Sequence, residues 1–202
     1  MRDIAVLLAA YAVGSVPFGW LVPRCLGGFE IRSRGSGNPG ATNVWRTMGP
    51  AAGLAVGLLD GAKGWLAVAA ARPGHPDTPE WLGLATALAA VAGHVWPVWL
   101  GFRGGKGVIT SAGAFLALAP LPVLGAGVVF GAGLALSGRV SVGSLAAALA
   151  LPALTAGLDG PWRTRPLILA ATAAGLLVWI RHRSNLARIL SGSEPRLTGR
   201  RR

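Results

Sequence analysis

The sequence predicts an all-α integral membrane protein with seven transmembrane helices, its N-terminus outside and its C-terminus cytoplasmic. Three observations carry that expectation. Hydrophobic residues make up 52% of the 202 positions against 13% charged, and mean hydropathy is +0.55, which excludes a disordered chain and sets this one apart from ordinary soluble enzymes. The hydrophobic residues fall into runs bounded by charges, glycines and prolines, several of them near the ~20 residues a helix needs to cross a hydrocarbon core. The few charges are one-sided, 19 Lys and Arg against 7 Asp and Glu for a net +12, as suits a membrane protein that meets anionic groups. The 31 glycines fit as well, because small residues let membrane helices approach closely. The single cysteine, Cys25, excludes an internal disulfide.

The spans follow in order. Residues 4–22 form the first, with Ser15 and Pro17 inside it. A cleaved signal peptide is its rival, given the small-x-small Ala10-Tyr11-Ala12, but Arg2 is offset by Asp3 and the apolar stretch continues well past that point. Residues 49–71 are the second span, broken only by Asp60 and Lys63, and residues 81–100 the third. Two shorter helices, 108–119 and 121–136, are joined through Pro120-Leu121-Pro122. Residues 142–158 and 167–180 complete the set. Residues 1–190 thus read as one membrane-embedded domain, and 191–202 as a basic, mobile tail at the membrane surface.

Positive charge orients these spans. With the N-terminus outside, the inner side holds Arg24, Arg32, Arg34, Arg46, Arg103, Lys106, Arg139 and every arginine from Arg181 to Arg202. The outer side keeps Arg2, Arg72, Arg163 and Arg165, balanced by Asp3, Asp77, Glu80 and Asp159. Asp60 and Lys63 stand inside a span, where ionisable groups are costly and normally paired, so an internal ion pair supporting the bundle is expected.

Three inner segments carry more than orientation. Ser36-Gly37-Asn38-Pro39-Gly40-Ala41-Thr42-Asn43-Val44-Trp45-Arg46 combines turn formers with hydroxyl and amide donors, and Arg46 can fork onto a phosphate. A polar turn between membrane helices is the plainer account. Gly101-Phe102-Arg103-Gly104-Gly105-Lys106-Gly107 precedes a helix; its glycines let backbone N–H groups near an anion, Lys106 neutralises it, and the helix N-terminus adds its dipole. It is no nucleotide P-loop, since Gly107 stands where Ser or Thr would hold magnesium. In Arg181-His182-Arg183-Ser184-Asn185-Leu186-Ala187-Arg188, a continuing helix would put His182, Asn185 and Arg188 roughly on one face. A basic helix lying on lipid headgroups explains this third segment as well.

In this order the segments resemble the bacterial acyl-phosphate:glycerol-3-phosphate acyltransferases. The matching stretches are Gly14-Ser15-Val16-Pro17-Phe18-Gly19, the Ser36 to Arg46 loop and Asp60-Gly61-Ala62-Lys63-Gly64. They continue with Gly93-His94-Val95-Trp96-Pro97-Val98 leading into Arg103 to Val108, and finish with Arg181-His182 through Asn185 to Glu194. The resemblance implies a seven-helix membrane enzyme with a cytoplasmic active site in the bacterial inner membrane. It implies transfer of a fatty acyl group from acyl phosphate to the 1-hydroxyl of sn-glycerol 3-phosphate, giving lysophosphatidic acid and inorganic phosphate. By that resemblance Ser36, Arg46, Lys106, His182 and Asn185 are the catalytic set, while Gly104, Gly105 and Gly107 cradle a phosphate. Gly40, Thr42, Asn43 and Ser141 are further substrate-binding candidates, although Ser141 reads almost as well as a helix N-cap.

The residues also constrain mechanism. Other glycerol-phosphate acyltransferases use a His with an Asp five positions on. Here His75 is followed by Glu80, His94 by Trp99 and His182 by Ala187, so that dyad is absent from the sequence. An acyl phosphate is already activated, which favours positioning and charge stabilisation by Arg46 and Lys106, with the donor's phosphate accepting the hydroxyl proton. His182 as general base is the competing version. Ser36 as an acyl-carrying nucleophile lacks an activating partner nearby in sequence. Three scattered histidines and one cysteine give no metal-ligand spacing. Membrane lipid and the two phosphate substrates are the expected partners, with no cofactor, metal or nucleic acid. A phosphate or organic-phosphate transporter, with the basic loops as an entry site, is the alternative reading, but no inverted repeat is evident and midplane charge is limited to Asp60 and Lys63; a lipid-binding assembly factor, a third, explains the charge but not the two glycine-rich loops.

Overall fold

The computed structural model describes residues 1–71 and 78–197, so Arg72, His75, Asp77 and the Arg200 to Arg202 cluster lie outside the described residues. Among the described residues the chain forms ten α-helices and two short 3₁₀ turns. It divides into two compact units, Met1–Leu118 and Ala119–Arg202.

In the first unit, the expected span over 4–22 is bent into α1 (Arg2–Gly14) and α2 (Phe18–Gly27). Pro17 sits at the start of α2; it lacks an N–H and pushes Val16 out of helical geometry, so the chain bends there. Buried Ser15 fills the elbow, donating to the Ala12 carbonyl at 2.8 Å and accepting from Trp99 Nε1 at 3.0 Å. A 3₁₀ turn at Ile31–Ser33 leads to α3 (Ala41–Met48), and Gly49 at φ 97° with Pro50 behind it separates α3 from α4 (Pro50–Ala70). α5 (Glu80–Val95), a 3₁₀ turn at Val98–Leu100 and α6 (Val108–Leu116) follow.

Glycines set how closely these helices cross. A Cβ on Gly14 would run into the Ala90 backbone and one on Gly93 into the Tyr11 carbonyl, so α1 and α5 meet backbone to backbone. The same holds for α4 and α6, where Gly64 abuts the Thr110 carbonyl and Gly113 the Gly61 carbonyl. Ile31, Val44 and Val56 form a fully buried cluster with Phe18, Trp20 and Phe29 packed on it, which fixes α3 on α4.

In the second unit, α7 (Pro120–Ser137) and α8 (Val140–Gly157) form a hairpin through Gly138 at φ 68°. Gly133 and Gly143 leave room for that crossing. α9 (Arg165–Arg181) packs on α8, with Gly175 against the Ala148 carbonyl, and its first turn is capped by Thr164 Oγ1, which accepts from Leu167 N at 3.3 Å. The helix does not run on past 181 as the sequence suggested; it breaks at His182, and α10 (Arg183–Leu190) begins there.

Among the described residues, five helical stretches are long and apolar enough to cross a membrane: Arg2–Gly27, Pro50–Ala70, Glu80–Leu100, Pro120–Ser137 and Val140–Gly157. α9 has 17 residues. α6 has only 9, about 14 Å at 1.5 Å per residue and short of the ~30 Å hydrocarbon core. The exposed side chains of α7, such as Leu121, Leu124, Val128 and Leu136, are those of a helix whose outer surface is lipid.

Candidate active site

The loop before α3 is held from inside by one buried amide. Asn43 Oδ1 accepts from Ser36 N at 3.0 Å, while its Nδ2 donates to the carbonyls of Arg34 (3.0 Å) and Ile31 (3.4 Å). Gly35, at φ 59°, leaves the space that the Asn43 amide occupies. Asn43 was a substrate-binding candidate; the structure places it as the post around which residues 31–36 fold. Ser36 is exposed, and its Oγ accepts from Asn38 N at 3.5 Å. Pro39 packs on Gly19 of α2, and Gly40 is the extended N-cap of α3. The second half of the segment is therefore a helix, not a loop. Thr42 lies in its first turn, whose N–H groups have no intrahelical acceptor, and Arg46 in its last.

Not every arginine at this edge belongs to a site. Arg32 forks onto Glu30 with Nε and Nη2 each at 3.1 Å, and Trp20 Nε1 donates to the same carboxylate at 2.8 Å. Arg34 stacks over Phe29 at 4.1 Å and Arg24 over Trp20 at 5.4 Å. The Arg32 fork holds the Glu30 carboxyl down at about 2 against the opposing effect of burial, with Trp20 assisting.

The second loop is packed against the end of α5. Gly104 N donates to the Val95 carbonyl and Gly105 N to the His94 carbonyl, both at 3.1 Å. Those two N–H groups therefore close the helix end, which narrows the phosphate cradle foreseen for Gly104, Gly105 and Gly107. Lys106 follows, half-buried, then Gly107 at φ 83° as the N-cap of α6. Phe102 holds a left-handed φ of 62°, unusual for a residue with a Cβ, and is exposed.

The two loops come to the same place. A Cβ on Gly57 of α4 would lie 3.4 Å from Ile109 Cδ1 and 3.7 Å from Ala41 Cβ. Ile109 is in the first turn of α6 and Ala41 opens α3, so two helix N-termini, each led by a glycine-rich loop, flank one spot on α4. Such termini favour anions through unpaired N–H groups and the helix dipole.

In the second unit, Ser141 and Asn185 are brought together by Glu194, a residue assigned no role above. Glu194 Oε1 accepts from Ser141 Oγ at 2.7 Å and Asn185 Nδ2 at 2.6 Å, and Oε2 from Arg188 Nε at 2.7 Å. Burial would push this carboxyl up, but those three donors outweigh it and hold it below its ordinary value. Arg139 Nε donates to the Glu194 carbonyl at 3.1 Å and Leu197 N to the Gly138 carbonyl at 2.8 Å. Within the stretch read as a tail, Glu194 is buried and Leu197 is tied to the α7–α8 turn, while Ser191, Gly192, Ser193, Pro195 and Arg196 are exposed. Ser141 is not the N-cap of α8, which is Arg139. His182, buried between α9 and α10, donates from Nδ1 to the Val178 carbonyl at 2.8 Å, which leaves Nε2 as the acceptor of its neutral ring. The clue to Glu194 was available: it is the sole acidic residue after Asp159.

Comparison with known proteins decides the family. The family model described as glycerol-3-phosphate acyltransferase matches residues 4–192. The chain belongs to the glycerol-3-phosphate acyltransferase family. It is 42% identical over 194 residues to the glycerol-3-phosphate acyltransferase of Desulforamulus reducens, covering 96% of this chain and 94% of that one. With the Gluconobacter oxydans enzyme it shares 45% over 194 residues, covering 96% and 92%. Its fold is similar to crystal structures of PlsY (YgiH), an integral membrane glycerol 3-phosphate acyltransferase. The glycerol 3-phosphate form matches with a TM-score of 0.88 at 34% identity over 97% of this chain and 96% of that one. The lysophosphatidic acid form matches at 0.84 and 32%, over 97% and 95%.

Proposed function

We propose that this membrane acyltransferase moves a fatty acyl group from acyl phosphate to the 1-hydroxyl of sn-glycerol 3-phosphate, releasing lysophosphatidic acid and inorganic phosphate. The observation that carries the reading is the meeting of the α3 and α6 first turns across Gly57, because a reaction between two phosphate anions needs two anion-binding places side by side. Ser36, Thr42 and Arg46 serve one, with Gly40 keeping the backbone close; Lys106 and the N–H of Gly107 serve the other. Bringing two like-charged substrates together is opposed by their repulsion, which the Arg46 guanidinium and Lys106 ammonium offset.

The hydroxyl must lose its proton as it attacks the acyl carbon, and the departing phosphate of the donor is already at that carbon to accept it. We assign that role to the donor phosphate, with His182 and Asn185 as substrate-binding groups and Ser141 and Glu194 supporting them. The reaction as written balances without metal, coenzyme A or any other cofactor. The chain is placed in the bacterial inner membrane with seven crossings, its N-terminus outside and its catalytic loops cytoplasmic. Support for this comes from the distribution of arginines between the two sides and the apolar helices.

Purified protein given palmitoyl phosphate and glycerol 3-phosphate, with chelator present and no coenzyme A, should release phosphate and form lysophosphatidic acid in equal amounts. Phosphate binding or uptake into vesicles without acyl transfer would favour the transporter instead.

A further inference from the structure

The first unit holds one buried polar cluster that the proposed reaction does not use. Lys63 Nζ lies 2.7 Å from Asp60 Oδ1 and donates to the Val16 carbonyl at the α1–α2 elbow, also at 2.7 Å. The sequence led to that pair; it did not lead to the third member, His94 of α5, whose Nδ1 lies 3.5 Å from the same Asp60 oxygen. All three are buried. The opposite edge of the imidazole meets the glycine loop: of all atoms near a Cβ built on Gly105, His94 Nε2 is the nearest.

We propose that His94, oriented by Asp60, is the positioning residue of the Gly104–Gly107 segment and sets where Lys106 stands. The inference rests on the phosphate role given to that loop above. Well-packed apolar side chains would support a bundle at lower desolvation cost than a buried ion pair and an imidazole. What the polar node adds is direction. One carboxylate ties the elbow at Val16 through Lys63 and aims the His94 ring at Gly105, while the His94 and Val95 carbonyls hold the N–H groups of Gly105 and Gly104. The loop therefore rests on a ring fixed at its other edge. An Asp–His pair also has the form of a general-base dyad, but Gly105 occupies the place beside Nε2 where a substrate hydroxyl would have to sit.

The test is steady-state kinetics on the purified full-length enzyme with palmitoyl phosphate and glycerol 3-phosphate. Lys106→Arg identifies the substrate whose KM the loop controls. His94→Ala is expected to raise that same KM about tenfold, the size of a lost contact to a charged group, with kcat changed by less than about threefold. Gly105→Ala, whose methyl would strike Nε2, should do likewise, and the double variant should be no worse than His94→Ala, because the methyl enters the space the ring vacates. A fall in kcat at unchanged KM, or losses that multiply in the double variant, overturns the proposal. Should His94→Ala fail to fold, His94→Asn keeps a donor toward Asp60 but loses the edge that meets Gly105. A folded His94→Asn with unchanged KM also overturns it. A wild-type protein without acyl transfer would defeat the functional reading instead. The cycle is then read in thermal unfolding of the four proteins, where additive effects of His94→Ala and Gly105→Ala count against the proposal and strong coupling supports it.

Discussion

Ser141 Oγ donates a 2.7 Å hydrogen bond to Glu194 Oε1, joining the first turn of α8 to a segment 53 residues later. Because Asn185 and Arg188 meet the same carboxylate, removing it leaves donors from two helices without their acceptor. Glu194→Ala is therefore expected to destabilise the protein by about 1–3 kcal/mol, the cost of stranded buried donors. Glu194→Gln, which keeps an oxygen for Ser141, should lose less. Thermal unfolding in detergent checks this, and a Glu194→Ala protein as stable as the wild type would falsify the hub assignment.

The pH dependence of stability follows from two carboxylates outside the membrane spans. Glu30 is lowered from 4.5 to about 2 and Glu194 is lowered as well. A carboxylate held below its unfolded value contributes stability that is complete above about pH 4.5 and is lost as pH falls through the folded value. For Glu30 the window runs from about 4.5 down to about 2. The stability difference between wild type and Glu30→Gln should be constant above that window and shrink within it. A difference that stays flat from pH 5 to the acid limit of the folded protein counts against the Arg32 fork.

Lys106→Ala should lower kcat/KM by roughly a hundredfold or more, the scale on which a single preorganised donor to developing charge matters. Arg46→Lys keeps the charge but loses the two-pronged fork, and its loss should fall between those of wild type and Arg46→Ala. An Arg46→Lys enzyme indistinguishable from wild type would show that only charge counts there.

His182 separates the two proton acceptors. With Nδ1 donating to the Val178 carbonyl, Nε2 is positioned as an acceptor in the neutral ring, so the ring has the tautomer a general base needs. If the donor phosphate takes the proton, His182→Gln should retain turnover within about tenfold, or 1.4 kcal/mol, at every pH. Unmeasurable turnover with both substrates still bound would make His182 the base.

Gly113 lies against the Gly61 carbonyl where α6 crosses α4. A valine there cannot be accommodated without parting the helices, so Gly113→Val should cost about 1–3 kcal/mol of stability. Since α6 carries the Gly107 N-cap, affinity for the substrate whose KM Lys106→Arg alters should fall with it. Gly127 of α7, with nothing beside it, should accept alanine without measurable loss.

The helices that cross the membrane were legible because length and hydropathy are local properties: residues 49–71 and 121–136 correspond closely to α4 and α7. Turn formers were legible where their chemistry is local too, as at Pro120 and Gly138. The elbow at Ser15–Pro17 was missed because Pro17 sits in an otherwise continuous apolar run, where hydropathy outweighs a single breaker. The helix from Ala41 was hidden by the polar residues that also suit a loop.

The sequence by itself determined that this is a basic, helical membrane protein whose cations fall in part within glycine-rich loops, since composition, charge placement and the motifs at Ser36–Arg46 and Gly101–Gly107 are written along the chain. Only the tertiary structure decided which of those residues are props for their own loops. Asn43 turned inward to hold its own loop, Gly104 and Gly105 gave their N–H groups to α5, and His94 and Glu194 emerged as the centres of buried polar clusters. The reason is physical: a buried polar group must find a partner wherever helix packing puts one. At these crossings glycines bring backbones together, so the partner is set by contacts between residues far apart in sequence, which no local pattern records.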